Sequence, residues 1–308
     1  MPRVSVIMSI YQPDERYLRE QLASIDAQDF DDMDVIVYND CPGDERWEDF
    51  CHACCTRHEL CYVPGDVNRG YAKAFEHLVE LADGDYLAFS DQDDVWLPGR
   101  VARGVEALDA GHLLACCDRQ VIDGEGTVTV QSIRRAQPHE HSLTWQTGEH
   151  YARHAATTCY SIGMATMVRA STARELTPFP TCTGHDKWLA LGCNTLGTCA
   201  NIDEPLVQYR QHGNNVTGTM SGIASKRDWY ERRVIPSLEL ALEYATRFPT
   251  SPDAEDILDF ALARERGDVR ALWRQRDIAP KVAAFEIVRA LAPDWAFSRT
   301  VSLLKSNA

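Results

Sequence analysis

Three carboxylates fall within four residues at Asp91-Gln92-Asp93-Asp94, directly after the apolar run Tyr86-Leu87-Ala88-Phe89-Ser90 and directly before Val95-Trp96-Leu97-Pro98. Apolar residues on both sides anchor the acidic turn and crowd its charges, and like charges held close repel unless something neutralises them. A hard divalent cation, Mg²⁺ or Mn²⁺, does so. Mg²⁺ typically takes one or two carboxylates and leaves positions for substrate phosphates, so a diphosphate is the natural further ligand.

Other chemistries fit the same string. Asp-x-Asp-x-Val also suits a phosphohydrolase of the haloacid-dehalogenase type with Asp91 as nucleophile, but that nucleophile normally follows the first strand, and several strand–helix units precede it here. An EF-hand calcium loop needs Gly at its sixth position, where Trp96 stands. A plain solvated acidic turn is the third alternative. Further along, Arg210 and His212 in Tyr209-Arg210-Gln211-His212-Gly213-Asn214-Asn215 are groups able to clamp a diphosphate or complete a metal shell, against the simpler alternative of a surface histidine. Arg69 and Lys73 could neutralise phosphates, while Asn68 and Gly70 let the backbone approach a ligand closely.

The elements that must position these residues alternate. Val4–Ile10 reads as a strand, and Asp14–Asp26 as a helix with Leu18, Leu22 and Ile25 at helical spacing. Asp34–Tyr38 reads as a strand ending in an Asn39–Asp44 loop, and Glu45–Glu59 as a helix. A strand at Leu60–Val63, a helix at Tyr71–Leu81 and a strand at Tyr86–Ser90 follow. This rhythm predicts an α/β fold with a parallel sheet covered by helices, whose ligands bind beyond the carboxyl ends of the strands. The pattern loosens after a strand at Leu113–Cys117, with a hairpin at Asp123-Gly124-Glu125-Gly126. From Asp228 on, helical spacing in Ile235–Phe248, Ile257–Ala263 and Val282–Leu291 is broken by Pro249, Pro252, Pro280 and Pro293. The expected organisation is a catalytic domain over residues 1–220 and a helical region over 221–308. The apolar faces of that region would pack on the domain, on a second copy in a homo-oligomer, or at a membrane surface.

Composition excludes some classes. A chain of 308 residues with 44% hydrophobic residues holds an enzyme-sized core, and a formal charge of −15 argues against nucleic acid as a partner. No run approaches the length of a membrane span, and the N-terminus lacks a signal-peptide core. A cytoplasmic protein, at most peripheral on the membrane's inner face, is expected. Its eleven scattered cysteines are expected to be reduced thiols. The dense Cys51–Cys61 stretch invites a zinc assignment, but on a helix its Cys and His side chains fall on different faces and cannot converge.

Taken in order, Val4–Tyr11, Val35–Asp40, Asn68-Arg69-Gly70, Phe89–Trp96, Gly184-His185-Asp186-Lys187-Trp188-Leu189 and Tyr209–Val216 resemble a family 2 glycosyltransferase of the GT-A fold (the Rossmann-like nucleotide-diphospho-sugar transferase fold), closest to bacterial rhamnosyltransferase-like enzymes. The resemblance implies inverting, metal-dependent transfer of a sugar, with rhamnose from a dTDP donor suggested, to a hydroxyl of a growing cell-surface glycan or a lipid-linked acceptor. It implies a donor site of Tyr11, Asp40, Asn68, Gly70, Lys73, Asp91, Gln92 and Arg210. Asp40 would bond the base or ribose, with Asn39 standing where a second Asp is usual. Asp93 and His212 would be metal ligands, Asp91 a ribose or sugar contact, and Asp186 the catalytic base. A helix N-cap is the competing role for Asp186, and a core tryptophan the competing role for a sugar-stacking Trp188.

Overall fold

The computed structural model describes residues 2–212 and 222–306, with side chains as far as 302. The expected domain boundary at 220/221 and residues 213–216 of the Tyr209–Val216 motif lie outside the described residues. The chain divides into two compact units, Met1–Tyr151 with Cys159–Gly213, and Ala152–Thr158 with Asn214–Ala308.

The first unit starts with β1 (Val4–Ile10), α1 (Glu15–Asp26), β2 (Met33–Asn39), α2 (Trp47–Cys54), β3 (Glu59–Pro64), α3 (Tyr71–Leu81), β4 (Tyr86–Ser90), β5 (Val95–Trp96) and α4 (Arg100–Asp109). β6 (Leu114–Ile122), β7 (Val128–Val130), α5 (Ile133–Ala136) and α6 (His141–Thr144) come next. α7 (Ala152–Ala155) belongs to the second unit, and the first resumes with β8 (Thr166–Arg169), α8 (Ala170–Glu175), α9 (His185–Leu196) and β9 (Cys199–Arg210). Local chemistry accounts for several bounds. Asp14 caps α1 by accepting the backbone N–H groups of Arg16 and Tyr17, and Leu18, Leu22 and Ile25 are buried beneath it. Gly70 enters α3 at φ +72°, a conformation that side chains disfavour.

The strands form one sheet in the order β3-β2-β1-β4-β8-β6-β9-β5, with β7 paired to β6. β1 to β4 are mutually parallel, and β6 is parallel to β9. β8 runs antiparallel to both β4 and β6, and β5 antiparallel to β9. The sheet is therefore mixed, a correction to the wholly parallel expectation. Between β6 and β8 the chain turns back toward the amino ends of β6 and β9, where the Gly148 backbone N–H donates to the Cys199 carbonyl at 2.9 Å, and β8 then runs antiparallel to its neighbours. Six strands, β1, β2, β3, β4, β6 and β9, still point their carboxyl ends the same way. β1, β2 and β4 are almost wholly buried, and at about 1.5–3 kcal/mol for each large apolar side chain removed from water they hold that edge rigid.

In the second unit α10 (Lys226–Trp229) continues through one π-helical stretch into α11 (Ile235–Arg247), followed by α12 (Ala254–Arg266), α13 (Val269–Arg274), α14 (Pro280–Leu291) and α15 (Asp294–Ser306). One apolar cluster gathers Phe260, Leu272, Ile278 and Ala283, and another gathers Ile223, Trp229, Val234, Phe297 and Val301. Glu286 is buried between Arg264, 3.0 Å away, Arg289 and the indole N–H of Trp229, so its charge is paired and hydrogen-bonded as burial requires.

Candidate active site

The acidic motif is pinned at both ends. Before it, the hydroxyl of Ser90 accepts from the amide of Gln21 at 2.7 Å. After it, β5 pairs with β9 in the register Val95↔Gln208, and the backbone N–H of Trp96 donates to the hydroxyl of Ser24 at 2.9 Å. That register sets residues 91–94 against the end of β9. Asp94 Oδ1 accepts the backbone N–H of Arg210 at 2.9 Å, the Arg210 Nε donates to the carbonyl of Asp93 at 2.8 Å, and His212 Nε2 lies 2.9 Å from Asp93 Oδ2.

Arg210 is buried, its guanidinium paired with Glu20 and lying 4.4 Å from the ring centroid of Tyr17. Tyr17 and Glu20 sit three apart on α1 and so share a face. The cation thus braces the motif through the Asp93 carbonyl. Asp94, unassigned from sequence, holds Arg210 in place through a carboxylate whose Oδ2 has no hydrogen-bond partner among the described residues. Burial first, then the Asp91 and Asp93 charges, push its pKa well up.

The half-buried Asp91 is raised to about 7, chiefly by burial and then by the Asp93 and Asp186 carboxylates. Asp91, Asp93 and Asp186 are therefore in electrostatic contact at one place. Asp186 lies in the first turn of α9, whose N-cap is Gly184, so it is not the N-cap residue. Its Oδ1 accepts the Lys187 backbone N–H at 2.7 Å, and the Cys159 thiol lies 3.8 Å from its Oδ2. Trp188 is fully buried and donates its indole N–H to the Leu176 carbonyl at 2.8 Å. It is a core residue, and the sugar-stacking alternative falls.

Around the β2 end the carboxylate chemistry differs. Asp40 accepts the backbone N–H groups of Arg69 at 2.6 Å and Gly70 at 2.9 Å, and its carbonyl accepts from the Asn68 amide at 3.0 Å. Asp40 thereby fixes the 68–70 loop, and each of its oxygens keeps one lone pair for a further donor. Asn39 is turned to Asp44 and Cys41. Gln92 braces the first loop, accepting from the Tyr11 backbone N–H at 2.8 Å and donating to its carbonyl at 3.3 Å, while the Tyr11 side chain is exposed. Lys73 stands apart: its ammonium donates to Glu76 at 2.8 Å and to the Phe179 carbonyl at 2.9 Å, so its three donors are turned to α3 and the 179 segment.

His185, which precedes Asp186, carried no functional signal in the sequence. It is buried, stacked on Phe89 at 5.2 Å and 12° and lying 4.1 Å from the Phe75 centroid, and neither ring nitrogen has a hydrogen-bond partner among the described residues. Burial lowers its pKa to about 4, so near neutrality it is an uncharged plate between the acidic motif's strand and the Asp186 helix. A Cβ on Gly163 would come within 2.9 Å of its Nε2, so the ring fits only against a glycine.

Among the described residues no group of three or more His, Cys, Asp or Glu side chains could hold a metal ion. The Asp93–His212 pair is what the described residues offer, and the neighbouring Asp91 and Asp94 add negative charge beside it. The set fits a cation that draws its remaining ligands from phosphate and water. The Cys51–Cys61 stretch is no helix throughout, because α2 ends at Cys54 and Cys61 lies on β3. Burial pushes the Cys51 and Cys55 thiols up to about 12, and all eleven cysteines are free.

With this geometry in hand, residues 5–175 match the family described as glycosyl transferase family 2. The chain belongs to that family. It is a glycosyltransferase with the GT-A fold and a helical C-terminal region. It is 26% identical over 248 residues to the dTDP-rhamnosyl transferase RfbG of Shigella flexneri, covering 71% of this chain and 80% of that one. Some curated relatives are matched over much less, 31–35% of this chain and 36–38% of their own length. Among solved structures, S. aureus TarS 1-349 in complex with UDP-GlcNAc superposes with TM-score 0.64 at 17% identity, covering 99% of this chain and 92% of that one. The mannosyltransferase PcManGT from Pyrobaculum calidifontis, in complex with GDP-Man and Mn²⁺, does so with TM-score 0.56 at 19% identity, covering 99% and 79%. Both solved neighbours hold nucleotide-sugar donors. No described helix of the glycosyltransferase is long and apolar enough to cross a membrane.

Proposed function

We propose that the enzyme transfers a sugar, with inversion and with a divalent cation, from a nucleoside-diphosphate donor to a hydroxyl of a growing cell-surface glycan or lipid-linked acceptor on the cytoplasmic side of the membrane. The observation that carries this reading is the meeting of Asp91, Asp93 and Asp186 at the carboxyl edge, tight enough for the other two charges to help raise Asp91 to about 7. Asp93 and His212 would hold the cation, which supplies Lewis-acid stabilisation of the departing diphosphate. Asp186 takes the proton of the acceptor hydroxyl as its oxygen bonds to the anomeric carbon and the bond from that carbon to the diphosphate breaks. Asp40, Asn68 and Gly70 shape the nucleoside end, Gln92 holds the Tyr11 loop against it, and Asp91 faces the ribose or sugar. The name of the Shigella flexneri relative supports rhamnose from a dTDP donor as the first substrate to try.

A melting-temperature panel of nucleoside diphosphates, with and without Mn²⁺, would identify the base, because a ligand raises the melting temperature only by binding the native state. Asp186→Asn should keep the nucleotide-induced shift and lose transfer. Transfer near the wild-type rate in this variant would remove Asp186 from the mechanism, and phosphate release from simple monoesters without any acceptor would point to hydrolysis at Asp91 instead.

A further inference from the structure

The second unit carries an apolar stripe that its own core does not use. On α14, Lys281, Ala284, Val288 and Leu291 recur at three- and four-residue spacing and are all exposed, so they share one helix face. Elsewhere on the helix Ala283 joins the cluster around Phe260 and Leu272, and Glu286 pairs with Arg264. Just beyond it, α15 buries Phe297 and Val301. Trp295 lies roughly 200° around the helix from Phe297, at about 100° per residue. The outcome is a bend, interrupted by Pro293, at which Trp295 is 71% and Leu291 70% exposed, with Val288 at 41%.

Charge indicates what covers this bend. The chain carries −15 overall, yet from Val269 onward seven Lys/Arg stand against three Asp/Glu, and one of those acids, Glu286, is buried between two arginines. Arg270, Arg274, Arg276, Lys281 and Arg299 are exposed. A second copy meeting this face through a two-fold axis would set basic residues against basic residues. An anionic lipid surface attracts them, and its headgroup layer is where tryptophan settles. We propose that the α14–α15 bend, led by Val288, Leu291 and Trp295, with Lys281 on the same face of α14 and Arg299 four residues after Trp295, seats the protein on an anionic bilayer surface. This docking is independent of which sugar is transferred, so it stands or falls separately from the reaction.

Co-sedimentation of the full chain with equimolar phosphatidylglycerol/phosphatidylcholine vesicles, beside phosphatidylcholine vesicles, tests it. Partitioning onto the anionic vesicles should be about tenfold stronger than onto the neutral ones and should weaken as salt is raised. Leu291→Glu with Trp295→Glu should lower it about tenfold or more at unchanged melting temperature. Leu291→Ser alone, a gentler change, should lower it in part, and Trp295→Phe should retain it. Equal binding to both vesicles, no binding to either, or unaltered binding of the Glu variants overturns the proposal. A dimer seen by light scattering that Leu291→Glu converts to monomer overturns it too, and assigns the stripe to self-association.

Discussion

Asp40 and Asp91 close neighbouring regions of one sheet edge with the same side chain, yet their surroundings are opposite. Asp40, after β2, receives two backbone N–H groups on its two oxygens. Asp91, after β4, is half-buried beside two further carboxylates, and its pKa climbs to about 7. One region is satisfied by the fold itself, while the other carries a conflict that the fold leaves for a ligand to settle. Burial that raises a carboxylate among like charges marks a candidate functional site, whereas an aspartate whose two oxygens each accept a backbone amide marks a built support. The contrast can be broken by substitution, and the largest effect is expected where the conflict is to be resolved. Asp93→Ala removes one member of the Asp93–His212 pair, and transfer is expected to fall about 10²–10³-fold, the loss typical of deleting one stabilising group in a preorganised polar site. Rates measured across a Mn²⁺ titration check this; a variant that reaches the wild-type rate at saturating Mn²⁺ shows that Asp93 is not needed once the ion is bound.

The second effect is one of stability and pH. His185 in the folded protein takes a proton only below about pH 4, whereas an unfolded histidine does so near 6.5. Between these values the unfolded state binds the extra proton, so stability falls as the pH drops from about 6.5 to 4, by about 3 kcal/mol in all. His185→Leu keeps an apolar filler of similar size and should flatten that part of the curve. Denaturant unfolding at several pH values reads the slope, and an unchanged slope would assign the acid sensitivity to the carboxylates.

How much of this was legible in the sequence depended on whether a signal was local. Tyr71–Leu81 and Tyr86–Ser90 occupy the expected bounds because helical spacing and a compact apolar run are local properties. β9, by contrast, carries Asp203, Glu204 and Pro205 within its span, residue types depleted in strands; its pairing with β6 absorbs them through register shifts at Cys117/Asp118 and Asp118/Arg119. The four-residue β8 is too short to show alternation. In the site, the acidic motif stood out by residue type and Asp186 entered only through the resemblance to family 2 glycosyltransferases, but the bracing of Arg210 by Glu20 and Tyr17 and the seating of His185 on Phe75 and Phe89 are products of tertiary packing that no spacing encodes. Lys73 did carry a readable signal, since Glu76 three residues on is a helical ion-pair partner, and the structure pairs them.

The remaining predictions apply one substitution to both halves of the comparison. Asp40→Asn replaces one acceptor oxygen by an N–H₂ group that faces a backbone N–H, leaving a donor unmatched near the buried loop. A loss of about 2 kcal/mol is expected, or about 4 °C in melting temperature for a protein of this size, together with weaker nucleotide binding as the 68–70 loop loosens.

Asp91→Asn should move stability the other way. Its carboxyl is raised above the ordinary carboxylate value, so the folded state binds the proton more tightly than the unfolded one, and the ionised form costs stability as pH rises through about 7. Neutralising the side chain removes that cost. Above pH 7 the ligand-free variant is expected to be more stable than wild type by about 1 kcal/mol, taking only part of the shift because Asp91 is coupled to its neighbours and partly open to solvent. Near pH 4 both proteins carry a neutral group at this position, and the difference should vanish. Transfer should nonetheless fall if, as proposed, Asp91 contacts the donor. Melting curves at pH 8 and pH 4 without divalent ions provide the check. A variant less stable than wild type at both pH values would mean that Asp91, like Asp40, is held by the fold for its own sake, and the difference between the two regions would collapse.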